Sequence, residues 1–359
     1  MTRTVSISLD QFYRPQPGGI ATYVRGLVGG LNALGDDALA LIGIAPKGSP
    51  TQDVSELAVR WVTTWAPVEV LTRVWSRWPL GVPAQSDVVH ATSVAGPFAG
   101  GTKRAVHSVA LHDLLWRDEP SASTPRGIKF HERRLQMLKR RDDVRIVTTA
   151  PGLAQRLMSE GFAKERVHES RLGVGDETRS DAPDQVRAFL SEHGVVGPFT
   201  LYAGTREPRK NLGRLRDAHA AALASNVELG PLVFVGPQGW GSEEGGDAVV
   251  LGLVARSMLQ GLYRDASVVA YVPRAEGWGL PPVEALHEGA RVVASTTTPS
   301  VATNDEVVLV DPLDVDAITA GLIRALSLGT DEVARQRRSA TVSSLTWKNV
   351  ALDHLAAWA

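Results

Sequence analysis

The chain of 359 residues contains no cysteine, which excludes disulfide bonds, thiolate nucleophiles and cysteine-ligated metal sites. It also has almost no net charge, −1 from 38 basic and 39 acidic side chains, so there is no electrostatic basis for binding nucleic acid. No apolar run approaches the roughly 20 residues of a membrane-spanning helix. The first segment, Met1–Leu9, is too short and too polar for a signal peptide. We therefore expect a cytoplasmic protein.

Short apolar segments alternate with helical patterns along the whole chain, and hydrophobic residues make up 43% of it. This alternation predicts parallel sheets wrapped by helices, and twelve strands are too many for one ordinary sheet. We therefore predict two doubly wound α/β domains. The strands predicted for the first are Val5–Leu9, Leu39–Ile44, Val88–Ala91, Ala105–Leu111, Arg145–Thr149 and Arg166–Leu172. Those predicted for the second are Phe199–Ala203, Leu232–Val235, Val249–Leu251, Ser267–Val272, Arg291–Ala294 and Val307–Val310.

The boundary between the two domains is predicted at Gly173–Pro183, a stretch rich in Gly, Asp and Ser and poor in apolar residues. We assign residues 1–175 to the first domain and residues 183–342 to the second, which opens with a helix around Pro183–Glu192. A last helical pattern occupies residues 345–359.

Two carboxylates, Glu276 and Glu284, are eight residues apart and follow a segment typical of a buried strand. The prolines of Pro281–Pro282 suit the first positions of a helix, where a missing N–H costs nothing. We therefore place Glu276 in a strand-to-helix loop and Glu284 in the first helical turn. Gly277 and Gly279 let backbone N–H groups approach a ligand, and a helix start binds anions, above all phosphate. With a carboxylate for hydroxyls on each side of a phosphate, the segment favours a sugar nucleotide.

Three cations, Arg206, Arg209 and Lys210, closely follow the predicted strand that ends at Ala203. At a strand end beside a helix start they would neutralise a diphosphate. The alternative is a solvated basic turn. For Arg206, an extra phosphate contact and a surface charge both remain open.

Two further candidates follow strands of the first domain. Gly18 and Gly19 fall in the first strand-to-helix turn, which is either an ordinary tight turn or a ligand site at a helix start. The third glycine of a dinucleotide fingerprint is absent. His112 and Asp113 end the strand Ala105–Leu111, and ligands of open α/β sheets lie at the carboxyl ends of strands.

Three blocks together resemble retaining GT-B glycosyltransferases, specifically glycosyltransferase family four. Glu276-Gly-Trp-Gly-Leu-Pro-Pro-Val-Glu284 is similar to the E-x7-E signature, Leu201–Asn211 to the GTxEPRKN segment, and Leu111–Leu115 to the HDL segment. The resemblance spans most of the chain, from Pro17 to the final helix. It implies two Rossmann-like domains facing across a cleft, with the last helix returning to the first domain.

The resemblance also implies an activity: metal-independent, retaining transfer of a sugar from a UDP- or GDP-linked donor to a sugar or lipid-linked acceptor, without a cofactor, in bacterial polysaccharide or glycolipid assembly. It implies a location in the cytoplasm or at the inner face of the membrane. The implied catalytic residues are His112, Arg209, Lys210 and Glu276, with Glu276 holding sugar hydroxyls and His112 contacting the donor sugar. Asp113 orients His112 or meets the acceptor. Glu284 binds ribose, and the other implied donor contacts are Gly18, Gly19, Arg206, Gly277, Trp278, Gly279 and Leu280.

The chain departs from the family pattern at two places. Thr149-Ala150 stands where relatives usually have Ser followed by Glu, and Pro299-Ser-Val301 stands where they usually have Pro-Glu. These departures bear on acceptor specificity and on activity itself. Two alternatives therefore stay open: a sugar-nucleotide epimerase of the same fold, and a non-catalytic sugar-nucleotide-binding protein.

Asp314-Val-Asp316 matches the metal motif of a different glycosyltransferase fold, but an amphipathic helix follows it. We therefore predict a helix cap and no metal site.

Two surface features have a plain and a functional interpretation. Residues 125–145 carry eight Lys or Arg, which predicts a solvated helix face more readily than contact with anionic membrane or a lipid-phosphate acceptor. For four clustered tryptophans we favour packing under a long loop over a membrane interface or an acceptor site. They are Trp61, Trp65, Trp75 and Trp78.

Overall fold

A computed structural model of the chain describes residues 2–16, 18–98, 104–175, 180–225, 227–239 and 246–359. Pro17 and residues 176–179 of the predicted linker lie outside the described residues. The chain divides into two compact units. The first comprises Met1–Gly173 and Leu345–Ala359, and the second comprises Val174–Ser344.

The first unit is built on a sheet of seven parallel strands in the order β3-β2-β1-β4-β5-β6-β7. The central strands are almost completely buried, as expected for a parallel sheet covered on both faces. The strands are β1 Arg3–Ser8, β2 Leu39–Ala45, β3 Arg60–Thr63, β4 Val88–Ala91, β5 Val106–Leu111, β6 Val144–Thr148 and β7 Val167–Glu169.

The sequence interpretation missed β3. This strand has four residues, lies at the edge of the sheet and pairs only with β2. Three of its four side chains are exposed, so it carries no apolar run of the kind that identified the other strands. An edge strand needs little burial on either face, which removes the sequence signal.

The second unit contains six parallel strands in the order β10-β9-β8-β11-β12-β13. All six were predicted, and the two doubly wound α/β domains are therefore confirmed. The strands are β8 Thr200–Ala203, β9 Leu232–Val235, β10 Val249–Gly252, β11 Val268–Tyr271, β12 Val292–Ser295 and β13 Val307–Val310.

Helices connect the strands in both units, and none of those in the described ranges is long and apolar enough to cross a bilayer. Asp314 caps one of them: its side chain accepts the backbone N–H groups of Asp316 and Ala317 at 2.9 and 3.1 Å, so the predicted cap is confirmed. The helices of the first unit are α1 Gly18–Ala33, α2 Val68–Val74, α3 Leu115–Asp118, α4 Pro125–Lys139, α5 Leu153–Ser159 and α12 Trp347–Ala357. Those of the second are α6 Pro183–Glu192, α7 Leu212–Ala224, α8 Arg256–Asp265, α9 Leu280–His287, α10 Val315–Leu326 and α11 Glu332–Ala340.

The C-terminal helix α12 packs closely on α1. A Cβ atom at Gly26 would lie 2.0 Å from the Trp347 ring, and one at Gly30 would lie 2.1 Å from the Trp347 carbonyl oxygen. The two glycines therefore permit a helix contact that any larger residue would open.

A chain of buried hydrogen bonds also holds α12 to the sheet. The Tyr23 hydroxyl lies 2.7 Å from His354 Nε2 and 2.7 Å from His90 Nε2, and His90 Nδ1 lies 3.0 Å from Ser108 Oγ. His354 Nδ1 donates to the Val350 carbonyl at 2.7 Å, so in the neutral ring Nε2 accepts from Tyr23. Tyr23 then accepts from His90 Nε2–H, and His90 Nδ1 accepts from Ser108. The pattern satisfies every partner only while both histidines are neutral.

We expect this network to make the first unit sensitive to mild acid. Burial is the main cause that lowers the pKa of His354 to about 4, and it also lowers the pKa of His90 well below its usual value. As the pH falls below about 6.5, His354 binds a proton in the unfolded chain but not in the folded state. The contribution of His354 to the free energy of unfolding is therefore complete above this pH and declines towards pH 4. The loss from His354 is about 3 kcal/mol at most.

Urea unfolding at pH 7.5 and pH 5, followed by tryptophan fluorescence, measures this loss. His354→Gln cannot titrate, so its midpoint should change less between the two pH values than that of the wild type. Equal changes in the two proteins would contradict the assignment of the acid sensitivity to His354.

Candidate functional site

The second unit brings three of the predicted site residues, Arg209, Lys210 and Glu276, together at one point of its sheet. The strand order runs outward in opposite directions from β8 and β11, which are neighbours. Segments that leave the carboxyl ends of such a pair diverge and open a crevice, where ligands of doubly wound sheets bind. The segment after β8 carries Arg206, Arg209 and Lys210, and the segment after β11 carries Glu276.

Arg209, Lys210 and Glu276 form an ionic cluster with Tyr271 around one oxygen of the Glu276 carboxylate. Glu276 Oε2 lies 2.6 Å from Lys210 Nζ, 3.0 Å from Arg209 Nη1 and 2.5 Å from the Tyr271 hydroxyl. The Lys210 and Glu276 side chains are only 9% and 11% exposed. Arg209 also pairs with the buried Glu207 at 2.6 Å. The two cations are thus balanced by two carboxylates before any ligand enters.

The cluster fixes the ionisation of its members. Burial works against the charged form of Glu276, but Lys210 and Arg209 outweigh it and hold its pKa far below the usual range. Burial lowers the pKa of Lys210, which the neighbouring Glu276 partly offsets. Burial and Glu276 raise the pKa of Tyr271 well above its usual value, so its hydroxyl stays neutral and donates to the carboxylate. Glu276 therefore keeps two buried cations in place.

Asn211 fixes the backbone that presents the cations. It is the only non-glycine residue with positive φ in the described part of the chain, at 64°, and it begins α7. Its buried amide donates to the carbonyls of Val272 at 3.0 Å and Pro312 at 2.7 Å. A side chain that anchors a left-handed turn to two other segments stores strain for positioning. Sequence reasoning assigned no role to Asn211 or Tyr271, although Tyr271 ends a buried strand directly before the loop.

The loop from Glu276 to Leu280 is held close to its neighbours. The Gly277 N–H donates to Glu276 Oε1 at 3.1 Å. Gly279 has φ of 95°, and a Cβ there would lie 2.5 Å from Thr298 Cγ2, so only glycine fits. The buried Trp278 has no hydrogen-bond partner for its indole N–H among the described residues.

Helix α9 begins at Leu280, before both prolines, so Glu284 is its fifth residue. The prediction that Glu284 lies in the first turn was therefore wrong by part of a turn, because the helix starts at the residue before the first proline. Pro281 and Pro282 occupy the second and third positions, as expected for residues without an N–H. Because the two prolines lack an N–H, few free N–H groups remain at this helix start. The backbone N–H groups of the preceding loop are better placed to donate hydrogen bonds to an anion.

Glu284 has a different environment from Glu276. Its carboxylate accepts the Tyr263 hydroxyl at 3.1 Å and lies 3.5 Å from Arg256 Nη1. Both side chains come from α8, and with Glu284 they line a small pocket that also includes Gly175 and His287. The two carboxylates of the segment thus have different partners, and their predicted roles toward a ligand stay predictions.

The departure near residue 300 has a structural account. Val301 is 1% exposed and belongs to the core, whereas Ser300 Oγ donates to the Gly279 carbonyl at 2.6 Å and Ser300 N–H to the Trp278 carbonyl at 3.0 Å. Ser300 thereby supports the glycine loop.

In the first unit the strand order reverses between β1 and β4, and His112 follows the next strand, β5. His112 Nε2 donates to the Thr92 carbonyl at 2.9 Å, and Nδ1 lies 3.0 Å from the Thr149 hydroxyl. Burial lowers the pKa of His112, so the ring is neutral with its proton on Nε2. The Asp113 carboxylate accepts the Leu115 N–H at 3.0 Å. Thr92 and Thr149, rather than Asp113, therefore orient His112, which corrects one of the two roles predicted for Asp113.

Gly18 and Gly19 are the first two residues of α1, not part of the turn before it. Both are exposed, and Gly18 has φ of 57° with open space around its Cα. Their N–H groups therefore face outward from a helix start. Tyr23, on the same helix, meets the His112 ring edge to face with centroids 4.9 Å apart.

Two buried charges in the first unit escaped the sequence analysis. Asp10, just after β1, is fully buried, and one carboxylate oxygen binds Arg14 at 2.8 Å while the other has no partner among the described residues. Arg134 is 3% exposed, lies over the Phe98 and Phe130 rings and donates to the Thr72 carbonyl. Like His112, Asp10 is a polar residue that follows a central strand of the sheet. The same position in the sequence could have identified it as a candidate site residue.

Known proteins resemble both units. Residues 197–327 match the family model described as Glycosyl transferases group 1. This match lies in the second unit and contains the ionic cluster and both carboxylates. The chain is also 30% identical over 203 residues to O-antigen chain mannosyltransferase B of Escherichia coli, covering 52% of this chain and 53% of the relative. The chain thus spans about half the length of that curated relative.

Solved structures match the whole chain. Sucrose-phosphate synthase from Thermosynechococcus elongatus has a TM-score of 0.72 at 18% identity, with 99% of this chain and 98% of the other covered. Anabaena HepE, solved with UDP and glucose, has a TM-score of 0.71 at 14% identity, with the same coverage. At these identities the likeness concerns the fold, and the chain has the two-domain Rossmann-like fold of GT-B glycosyltransferases.

Proposed function

We propose that the protein is a retaining glycosyltransferase that moves a sugar from a nucleoside-diphosphate sugar to an acceptor hydroxyl. The observation that carries this proposal is the buried cluster of Lys210, Arg209 and Glu276 at the reversal point of the second sheet. Two cations held at a crevice suit a reaction whose leaving group is a diphosphate. The match to a glycosyltransferase family model over the same residues supports the same function.

In the mechanism we propose, the second unit stabilises the departing charge. As the glycosidic bond to the donor breaks, the sugar gains oxocarbenium character and the diphosphate gains negative charge. Lys210 and Arg209 meet that charge from a position that Glu276 has already fixed, so little reorganisation is needed. Backbone N–H groups of Gly277 to Leu280 assist at the phosphate. Arg206 lies on the same segment as the two cations and would add a further phosphate contact.

The two carboxylates take different parts of the donor in this proposal. Glu276 Oε2 is occupied by the cations and Tyr271, so its Oε1, next to Gly277, is the oxygen that would accept sugar hydroxyls. Glu284 would accept hydrogen bonds from the ribose hydroxyls. Its own partners are the Tyr263 hydroxyl at 3.1 Å and the Arg256 guanidinium at 3.5 Å, so its carboxylate oxygens can accept further hydrogen bonds.

We propose that the first unit contacts the donor sugar and binds the acceptor. His112 would contact the donor sugar. It would not act as the base, because the ring is neutral and both of its nitrogens are engaged. The leaving phosphate would take the acceptor proton. Gly18 and Gly19 would donate N–H groups to the diphosphate, and Asp113 would meet the acceptor. We propose a UDP- or GDP-linked hexosyl donor and a role in polysaccharide or glycolipid assembly. The name of the E. coli relative, an O-antigen chain mannosyltransferase, supports the transfer of a hexose in polysaccharide assembly.

No bound metal or cofactor is part of the proposed mechanism. Across the described ranges no group of three or more His, Asp or Glu side chains is placed to hold a metal ion. The neutralising charge comes instead from Arg209 and Lys210.

Thermal-shift measurements with UDP-, GDP- and dTDP-sugars, all in EDTA, test the proposal. A donor present at 100 times its Kd stabilises the protein by about 2.7 kcal/mol, which raises Tm by roughly 5–10 °C. The same donor should then release nucleoside diphosphate when hexoside acceptors are added. Addition of Mg²⁺ or Mn²⁺ should leave that rate unchanged.

The alternatives give different results in this experiment. An epimerase would convert the donor without releasing nucleotide. A binding protein would show the thermal shift with no change in the donor. Activity that is lost in EDTA and restored by Mg²⁺ would contradict metal independence, and no shift with any donor would contradict the donor site.

A further inference from the structure

Two tryptophans of the first unit are strongly exposed, contrary to the prediction that their cluster packs under a loop. Trp65 is 72% exposed and Trp78 is 64% exposed, while Trp61 is 37% exposed and Trp75 alone is buried. Trp65 precedes α2 and Trp78 follows it. Because α2 has seven residues, both indoles flank a segment of roughly 10 Å.

Helix α2 packs one side on the core of the first unit. Val68, Leu71 and Trp75 are buried against the first unit. Within α2, Glu69 and Arg73 are exposed and four residues apart, which places them on the same side of the helix. Trp65, Arg77 and Trp78 are exposed on the segments that flank the helix.

Helix α4 contacts α2. Its buried Arg134 donates to the backbone carbonyl of Thr72 in α2, which holds the two helices next to one another. The neighbours of these two residues, Arg73 and Arg133, are both exposed. Within the basic segment predicted as a solvated helix face, Arg134 is the exception, because it is buried and ties α4 to α2. Arg141 pairs with Asp143 at 2.6 Å.

The charge of the exposed side is positive. From residue 60 to residue 78 there are three arginines, Arg60, Arg73 and Arg77, against one acidic residue, Glu69. Exposed indoles close to arginines are typical of protein surfaces that lie at a membrane interface. There the indole lies at the level of the headgroups and the arginine contacts anionic lipid.

We propose that Trp65, Arg73, Arg77 and Trp78 form a surface that docks on an anionic lipid bilayer. The tryptophans enter the headgroup region and the arginines contact lipid phosphates and carboxylates. The proposal uses no residue of the donor site and stands independently of the proposed function.

Sedimentation with vesicles of phosphatidylcholine containing about one-third phosphatidylglycerol tests the proposal, with pure phosphatidylcholine vesicles as the comparison. The wild type should sediment with the anionic vesicles at low salt and be released as salt rises, because the attraction is screened. Arg73→Gln/Arg77→Gln should weaken the partition by about fivefold per arginine. Trp65→Ser/Trp78→Ser should weaken it at every salt concentration. All four positions are exposed, so both variants should keep the wild-type Tm.

A matched control changes an equally exposed apolar residue and a cation of the second unit. Val333 is 74% exposed and Arg324 is also exposed, so Val333→Ser/Arg324→Gln should sediment like the wild type. Wild-type protein that stays in the supernatant with anionic vesicles would overturn the proposal. Equal binding to neutral vesicles, or equal losses in the control variant, would also overturn it. So would a fluorescence response of Trp65 and Trp78 to soluble methyl hexosides without vesicle binding, which would assign the surface to a glycan.

Discussion

Lys210→Met is expected to reduce turnover of the sugar nucleotide by roughly 100-fold or more. The Lys210 ammonium is 9% exposed and lies 2.6 Å from Glu276, so its charge acts in a site with little water to screen it. It matters most when the diphosphate departs, because the negative charge is then greatest. Single-turnover measurement of nucleoside diphosphate release at saturating donor separates this effect from weaker binding.

The fold should survive the loss of Lys210. Methionine fills most of the aliphatic volume, and Arg209 and Tyr271 continue to satisfy Glu276 at 3.0 and 2.5 Å. Lys139→Met removes an exposed lysine of the first unit and is the matched control, with turnover expected near the wild-type rate. A folded Lys210→Met variant that turns over within a few-fold of the wild type would remove Lys210 from the mechanism.

Glu276→Gln and Glu284→Gln should affect two ligands differently. Loss of a charged hydrogen-bond acceptor costs about 1.5–3 kcal/mol, or roughly 10- to 150-fold in affinity. Glu284→Gln should weaken free nucleoside diphosphate and sugar nucleotide alike, because the ribose is common to both. Glu276→Gln should weaken only the sugar nucleotide. It should leave free nucleoside diphosphate binding unchanged or tighter, since Lys210 and Arg209 lose the anion that balances them.

Calorimetric titration of both ligands against both variants makes this comparison. Identical effects of the two substitutions on the two ligands would contradict separate roles. Glu276→Gln also leaves two buried cations with Glu207 as their remaining carboxylate partner in the cluster, and a broken buried pair costs about 3–5 kcal/mol. Adding Lys210→Met to Glu276→Gln should recover part of that stability without recovering turnover.

Most of the second unit could be predicted from the sequence. Its strands are short, fully apolar runs because a parallel sheet covered by helices buries both faces of each strand. The helix Pro183–Glu192 has the predicted bounds, and Asp314 caps α10 as predicted. These features depend on residues close together in the chain, so the local pattern contains the information.

The neighbourhood of the ionic cluster was also predictable in part. Residues that follow strands of a parallel sheet collect at one edge, which brought Arg209, Lys210 and Glu276 to the same place. That Glu276 binds both cations was not predictable, because these contacts join positions more than 60 residues apart. The contact with Tyr271 spans only five residues, but it depends on how the loop after β11 folds back on the strand. The sequence favoured a carboxylate free for sugar hydroxyls, and the tertiary structure leaves it one such oxygen.

The sequence by itself determined two α/β domains, their strand order along the chain and the segments that carry the candidate site. Only the tertiary structure decided which side chains are covered: Arg134 from a basic helix is buried, and Trp65 and Trp78 are exposed. It also decided that Thr92 and Thr149 orient His112. The physical reason is that periodicity records which residues of an element share a face, whereas burial and hydrogen-bond partners depend on what distant segments place against that face.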